Sequence, residues 1–197
     1  CPEGATLVVG HNAKDKEECA KMIHEGRWSE FIREVPIRKG DFVSIVPGTV
    51  HAIKAGVMLL ETQQNSDITY RVYDYDRLSN GRKRELHIEK SIDVINAPAS
   101  PAQDSIHNFA NVRKNKPVLM EKSAYYKVWK LVVEDGSELQ LSREKDFDSS
   151  YLLASVVAGS GYINGTAIKK GDHFIATNEC DSLSFSGDME IILSAQI

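Results

Sequence analysis

One histidine in an apolar stretch is the first residue of this sequence whose position suggests chemistry. The stretch reads GDFVSIVPGTVHAI and ends two residues after His51. A Pro-Gly turn precedes a strand whose first inward residue is this histidine. A histidine there either binds a metal in a pocket or is satisfied by the backbone at a strand edge. The stretch alone leaves both alternatives open.

A crowded polar segment, ETQQNSDITYRVYDYDR, follows and ends at Arg77. Polar groups packed among apolar strands cost free energy unless they bind one another or a polar ligand. Arg71 suits planar, bidentate recognition of an oxyanion. The simpler alternative is a structural arginine–carboxylate pair, which is common.

The first of these segments has a second copy in the chain. IRKGDFVSIVP begins at Ile37, and IKKGDHFIATN begins at Ile168. The second copy has Ser182 where the first has His51, so we expect the second copy to keep the fold without a metal. His173 stands at the place of Phe42, and we expect it to have a structural or surface role.

Short strands separated by turn residues make up most of the remaining sequence. These strands must position the candidate side chains of His51 and Arg71. Helices are predicted over residues 13–26, with Asn12 as N-cap, over RWSEFIREV, and after His87. VMLLETQ and ITYRVYDYD are predicted strands. The sequence therefore predicts a mainly β protein of two barrels with a few peripheral helices, residues 1–97 and 98–197 forming the two lobes.

Bulk properties narrow the classes of function. The 197 residues are 42% hydrophobic and 26% charged, with a formal net charge of −4 and no basic patch, so nucleic acid is not an expected partner. There is no signal-peptide pattern and no apolar run long enough to span a membrane. Three scattered cysteines suit a reducing cytoplasm. The chain begins without Met, and we expect it to be an N-terminally incomplete part of a longer protein.

The spacing around His51 resembles the second conserved motif of cupins. In that motif one glycine is followed eight residues later by another and eleven residues later by a metal-binding histidine. Gly40, Gly48 and His51 fit this spacing. The resemblance implies tandem cupin-like jelly-roll barrels, the second of them metal-free.

VPGTVHAI, LLETQQNSDITYRVYDYDR and RELH together resemble mannose-6-phosphate isomerase of the short bacterial type, in its central and C-terminal part. The resemblance implies a zinc-assisted interconversion of mannose 6-phosphate and fructose 6-phosphate through an enediol. It implies His51 as a zinc ligand and Arg71 as a catalytic residue. Glu61 and Arg77 are the implied substrate-binding residues, with the phosphosugar as partner.

The sequence departs from this family in its metal ligands. The family's other zinc ligands lie in a QxHPDD-like and a GKTE-like segment, and this sequence contains neither. His11 and His24 do not replace them, and His87 is expected to be structural. We therefore predict that these 197 residues alone bind zinc weakly or not at all and isomerise mannose 6-phosphate little if at all. A non-catalytic sugar-binding cupin module remains the alternative, whereas a cupin oxygenase would need further ligands of the HxHxxxxE kind.

Overall fold

The structure, a computed structural model, describes residues 1–66, 68–134 and 138–197. The chain forms two compact units. Unit 1 consists of Cys1–Leu59 and Asn65–His107, and unit 2 of Leu60–Gln64 and Asn108–Ile197. The lobe boundary that we predict between residues 97 and 98 falls inside unit 1 of this division.

Unit 1 combines short strands with three helices. Its elements in chain order are β1 (Thr6–His11), α1 (Lys16–His24), α2 (Trp28–Phe31), β2 (Ile32–Pro36), β3 (Asp41–Val43), β4 (His51–Ala52), β5 (Leu78–Ser79), β6 (Arg82–Lys83), α3 (Ile88–Val94), a 3-10 turn (Ala102–Asp104) and β7 (Ile106–Asn108), whose last residue already belongs to unit 2.

The largest sheet of unit 1 has the antiparallel order β2-β1-β4, and β3 pairs with β7 separately. The central strand β1 carries Leu7, Val8 and Val9, all of them buried. A continuous apolar run is typical of a strand covered on both faces. The helices of unit 1 and the residues beside them form a cluster of buried side chains: Ala13, Cys19, Met22, Ile23, Phe31, Ile92 and Ile95.

The predicted N-cap of the first helix is wrong. Asp15 caps α1, because its carboxylate accepts the N–H of Glu18 at 2.8 Å. The side chain of Asn12 instead donates to the carbonyl of Glu30 at 2.9 Å. The Asn12 side chain therefore connects the segment before α1 to α2.

The two strands predicted over VMLLETQ and ITYRVYDYD are also wrong, since the described residues between 53 and 77 contain no strand. Several of their apolar side chains are open to solvent, with Met58 80% and Ile68 68% exposed. A strand exists only with a hydrogen-bonded neighbour, and alternation of residue types does not supply one.

Unit 2 is a seven-stranded antiparallel sheet with an apolar interior. Residues Ser182–Gln196 form one continuous strand of 15 residues. The predicted mainly β fold class is confirmed. The elements are β8 (Val118–Lys122), β9 (Tyr126–Val133), β10 (Leu139–Ser142), a π-helical turn (Arg143–Phe147), β11 (Leu152–Ile163), β12 (Thr166–Lys169), β13 (His173–Ala176) and β14 (Ser182–Gln196).

The internal repeat corresponds to the same turn made twice. Gly40 and Gly171 have φ of 90° and 94°, in the left-handed region that glycine tolerates. The following aspartates each accept a backbone N–H three residues earlier at 2.8 Å, Asp41 from Arg38 and Asp172 from Lys169. A Gly-Asp pair after two cations is thus a local signal with a local structural cause.

Candidate functional site

His51 is positioned by the turn that precedes it. It begins β4, an edge strand, and pairs with Val9 of β1. Gly48 has φ of 83°, and a Cβ there would lie 2.5 Å from the carbonyl oxygen of Val94. Asn96 bonds this turn twice, through its side chain to the Pro47 carbonyl at 2.8 Å and through its N–H to the Gly48 carbonyl at 3.0 Å. The Pro-Gly turn is therefore fixed against the end of α3.

The His51 ring is exposed, and one of its nitrogens is already engaged. Nδ1 lies 2.9 Å from the carbonyl oxygen of Thr49, so Nδ1 carries the proton and donates it. The neutral ring then presents the lone pair of Nε2. Backbone carbonyls orient metal-binding histidines in this way.

A small cavity of about 40 Å³ lies beside His51. That volume is on the order of one water molecule. Aromatic side chains form much of its wall, and Trp28 stacks on Tyr73 with ring centroids 4.5 Å apart. The lining includes Val8, Trp28, Phe31, Val50, Tyr73 and Tyr75.

Arg77 is linked to this cavity through one shared side chain. Its guanidinium carbon lies 5.8 Å from the centre of the Tyr75 ring, and Tyr75 also lines the cavity. Burial raises the pKa of the Tyr75 hydroxyl. The predicted metal ligand His51 and the predicted substrate-binding residue Arg77 therefore belong to neighbouring parts of unit 1.

Asp74 joins two arginines. Its carboxylate accepts from Arg77 Nη2 at 2.7 Å and from Arg84 Nε at 2.8 Å, and it also accepts from Arg84 Nη2. Asp74 is only 5% exposed. These guanidinium hydrogen bonds, that of Arg84 first, hold the pKa of Asp74 well below its usual range. A structural arginine–carboxylate pair is thus part of this segment.

Arg71 is half-buried and is held by the segment that precedes α3. Its N–H donates to His87 Nδ1 at 3.1 Å, and its carbonyl accepts the N–H of His87 at 2.8 Å. Its Nη1 donates to the carbonyl of Glu85 at 3.1 Å. His87 is also the N-cap residue of α3, so the structural role expected for it is consistent with these contacts.

The other candidate residues belong to unit 2. Glu61 is exposed and belongs to unit 2, whereas His51, Arg71 and Arg77 belong to unit 1. His173 is exposed in unit 2, with its Nδ1 2.8 Å from Ser155 Oγ. The roles assigned to Glu61, Arg71 and Arg77 from the sequence stay predictions.

His11 is buried and structural. Its Nε2 donates to the carbonyl of Asn96 at 2.9 Å, and its Nδ1 accepts the N–H of Ala13 at 3.2 Å. Burial lowers the pKa of this imidazole. A ring with both nitrogens occupied has no lone pair for a metal.

The described residues do not form a zinc site by themselves. Across residues 1–66, 68–134 and 138–197, no group of three or more His, Cys, Asp or Glu side chains is placed to hold a metal ion. A protein zinc site takes at least three such ligands. His51 alone therefore does not fit zinc.

Comparison with known proteins shows which family of enzymes this chain resembles. The family model described as "Mannose-6-phosphate isomerase, cupin domain" matches residues 119–196. The mannose-6-phosphate isomerase of Streptococcus mutans is 42% identical over 98% of this chain and 60% of its own length. ManA of Bacillus subtilis is 40% identical, over 98% of this chain and 61% of its own. The chain is similar to mannose-6-phosphate isomerases.

Solved structures agree with this similarity. The crystal structure of the Bacillus subtilis mannose 6-phosphate isomerase superposes with a TM-score of 0.78 at 33% identity, covering 98% of this chain and 61% of that one. A putative mannosephosphate isomerase from Archaeoglobus fulgidus shares the fold, with a TM-score of 0.62 at 13% identity. The chain spans about three fifths of the length of these isomerases. The resemblance inferred from the sequence is confirmed.

Within the region similar to the isomerases, sequence reasoning missed Arg84 and its link to Asp74. The signal that could have found it is Asn80-Gly81, a pair typical of a two-residue hairpin turn. Both residues have positive φ, 53° and 77°, and they connect β5 to β6. The hairpin returns the chain so that Arg84 meets a carboxylate ten positions earlier.

No helix among the described residues has the length and apolar character needed to cross a membrane.

Proposed function

We propose that the complete protein carrying these residues interconverts mannose 6-phosphate and fructose 6-phosphate. The observation that supports this most strongly is the similarity to the Streptococcus mutans isomerase, at 42% identity over 98% of the chain. His51, Arg71 and Arg77 all belong to unit 1, and an imidazole and two guanidiniums are groups that suit a small anionic substrate with oxygen atoms to polarise. Because the chain spans only about 60% of that relative, the activity is assigned to the complete protein.

The reaction sets the demands on the side chains. A proton moves between C1 and C2 of the sugar through an enediol, and negative charge grows on the two oxygens. In our proposal the guanidinium of Arg71 stabilises that charge. Guanidinium groups present planar pairs of N–H donors that suit such oxygens.

The phosphate group of the substrate needs a cation. In our proposal Arg77 binds it, with its side chain 62% exposed and accessible. Glu61 is proposed as a further substrate-binding residue, through hydrogen bonds from sugar hydroxyls to its carboxylate.

Zinc is proposed as the metal of the complete protein, with His51 as one of its ligands. The bond from Nδ1 to the Thr49 carbonyl supports this, because it fixes the tautomer and leaves Nε2 for the metal. The described residues do not complete the ligand set, and the remaining ligands are assigned to the rest of the complete protein. We also propose a cytoplasmic location, supported by three cysteines without disulfide bonds.

A coupled assay tests the proposal. Fructose 6-phosphate formed from mannose 6-phosphate is converted onward until NADP is reduced, and absorbance at the nicotinamide band is followed. We expect the complete protein, supplied with zinc, to turn over mannose 6-phosphate but not unphosphorylated mannose. The 197-residue chain alone should show little turnover.

Two results would contradict the proposal. A zinc-supplied complete protein that binds mannose 6-phosphate without isomerising it would indicate a sugar-binding cupin module instead. Equal turnover of mannose and mannose 6-phosphate would show that no cation recognises the phosphate.

A further inference from the structure

A four-residue segment of unit 1, Arg84–His87, contacts Arg71 directly and is connected to Arg77 through the Asp74 carboxylate. It lies between β6 and α3. One of its ends bonds to Asp74, and the other bonds to Arg71. We call it the bracing segment.

At the α3 end, the bracing segment fixes the whole of Arg71. His87 makes two hydrogen bonds to the Arg71 backbone, one to its N–H and one to its carbonyl. The carbonyl of Glu85 accepts from Nη1 of the Arg71 side chain at 3.1 Å. The backbone position and the direction of the guanidinium are thus set by adjacent residues of one segment.

At the β6 end, Arg84 acts on Arg77 through Asp74. Arg84 binds both carboxylate oxygens of Asp74, and Arg77 binds one of them. One carboxylate and two guanidiniums leave a net positive charge. Arg77 also bonds through Nε to the Asp74 carbonyl at 3.3 Å, which limits its rotation further.

We propose that Arg84 and His87 are positioning residues, which hold the Arg77 and Arg71 guanidiniums in place for the phosphate and the reacting oxygens of one substrate molecule. This inference rests on the proposed function. Fixing two donors before the substrate arrives lowers the entropy lost on binding and reaction. Arg84 governs substrate binding, and His87 governs the chemical step.

The two residues therefore predict different kinetic signatures in the complete, zinc-supplied protein. Arg84→Gln should raise KM for mannose 6-phosphate by about tenfold and change kcat little, which is the signature of lost uniform binding. It should also weaken competitive inhibition by inorganic phosphate. His87→Ala should lower kcat by about tenfold or more with a smaller change in KM, because a displaced guanidinium weakens transition-state stabilisation.

Conservative variants and a control separate positioning from folding. His87→Asn restores an acceptor for the Arg71 N–H and should recover part of kcat. Arg84→Lys keeps the positive charge but cannot make the paired hydrogen bonds from Nε and Nη2 to the Asp74 carboxylate. It should therefore raise KM nearly as much as Arg84→Gln. Arg82→Gln is the matched control, since Arg82 is an exposed cation in the same hairpin for which the described residues show no bond to Asp74.

The outcomes distinguish this inference from the proposed function. No isomerase activity in the unsubstituted protein would contradict the proposed function and, with it, this inference. An active unsubstituted protein in which Arg84→Gln behaves as Arg82→Gln, or in which His87→Ala and His87→Asn have equal kcat, would contradict the inference alone. Should Arg84→Gln fail to fold, Arg84→Lys replaces it in this comparison, and a KM equal to that of Arg82→Gln would contradict the inference.

Discussion

Replacement of His11 by phenylalanine tests how unit 1 is held together. In the folded chain the ring bonds the Asn96 carbonyl and the Ala13 N–H, and it stacks on Phe31 with centroids 5.0 Å apart. Phenylalanine keeps the flat ring and removes both hydrogen bonds. The variant therefore separates the polar contacts of His11 from its packing.

The expected loss of stability follows from these contacts. Leaving a buried backbone donor or acceptor without a partner costs about 1–3 kcal/mol. The buried Ala13 N–H is such a group, the partly buried bond to the carbonyl of the exposed Asn96 is lost as well, and a ring pair of about 0.5–1.5 kcal/mol is kept. We expect His11→Phe to lower the free energy of unfolding of unit 1 by about 2–4 kcal/mol at pH 8.

The same variant has a pH signature. Burial lowers the pKa of folded His11 below 6.5, so between that lowered pKa and 6.5 the unfolded chain binds more protons than the folded one. The contribution of His11 is therefore complete above pH 6.5 and declines as the pH falls below it. The difference in the free energy of unfolding between wild type and His11→Phe should therefore shrink on acidification, by at most about 1.4 kcal/mol per pH unit.

The two tryptophans make the assay specific to each unit. Trp28 lies in unit 1 beside Phe31, and Trp129 lies in unit 2. Urea unfolding followed by Trp28 fluorescence in a Trp129→Phe background reports unit 1. His24→Phe is the matched control, because His24 is exposed and pairs only with an exposed Glu89 among its described contacts. A His11→Phe variant as stable as His24→Phe at pH 8, or a stability difference that grows on acidification, would refute the reasoning.

Further predictions concern unit 2 and use Trp129 fluorescence in urea. Lys130→Met should destabilise the unit by about 2–3 kcal/mol, because it leaves the partner carboxylate of Glu190 poorly solvated. Lys127→Met is the control and should change stability by less than about 1 kcal/mol, because its partner Asp148 is 91% exposed. Equal effects would contradict the burial argument. Gly161→Ala should destabilise the unit by about 2–4 kcal/mol, since its Cβ would lie 2.1 Å from the Ser186 carbonyl oxygen; an unchanged urea midpoint would show that β11 and β14 are not so close.

The sequence was most informative where structure is local. The Gly-Asp turns of the repeat depend on a positive φ and on a carboxylate that reaches back three residues, and both are encoded within five positions. His51 was predicted from the glycine spacing of the first of these stretches, and its role as a metal ligand stays a prediction. Apolar runs in unit 2 likewise gave its strands, because each packs on one face of a common core.

Features that depend on distant partners were not predictable in the same way. Residues 57–63 and 68–76 alternate as strands do, but pairing depends on a neighbour that the alternation does not specify. Arg77 was identified without Arg84, because a hairpin turn and a shared carboxylate connect them. The N-cap of α1 is Asp15 and not the predicted Asn12, because the Asn12 side chain bonds to the Glu30 carbonyl in α2.

The most direct test of the proposed site compares His51→Ala with Arg71→Ala in the complete protein. Each purified variant is dialysed without chelator, its zinc content is measured by mass spectrometry, and its turnover of mannose 6-phosphate is measured in the coupled assay. We expect His51→Ala to lose both zinc and turnover, and Arg71→Ala to retain zinc and lose turnover. Full zinc content in His51→Ala, or wild-type turnover in Arg71→Ala, would contradict the roles proposed for these two residues.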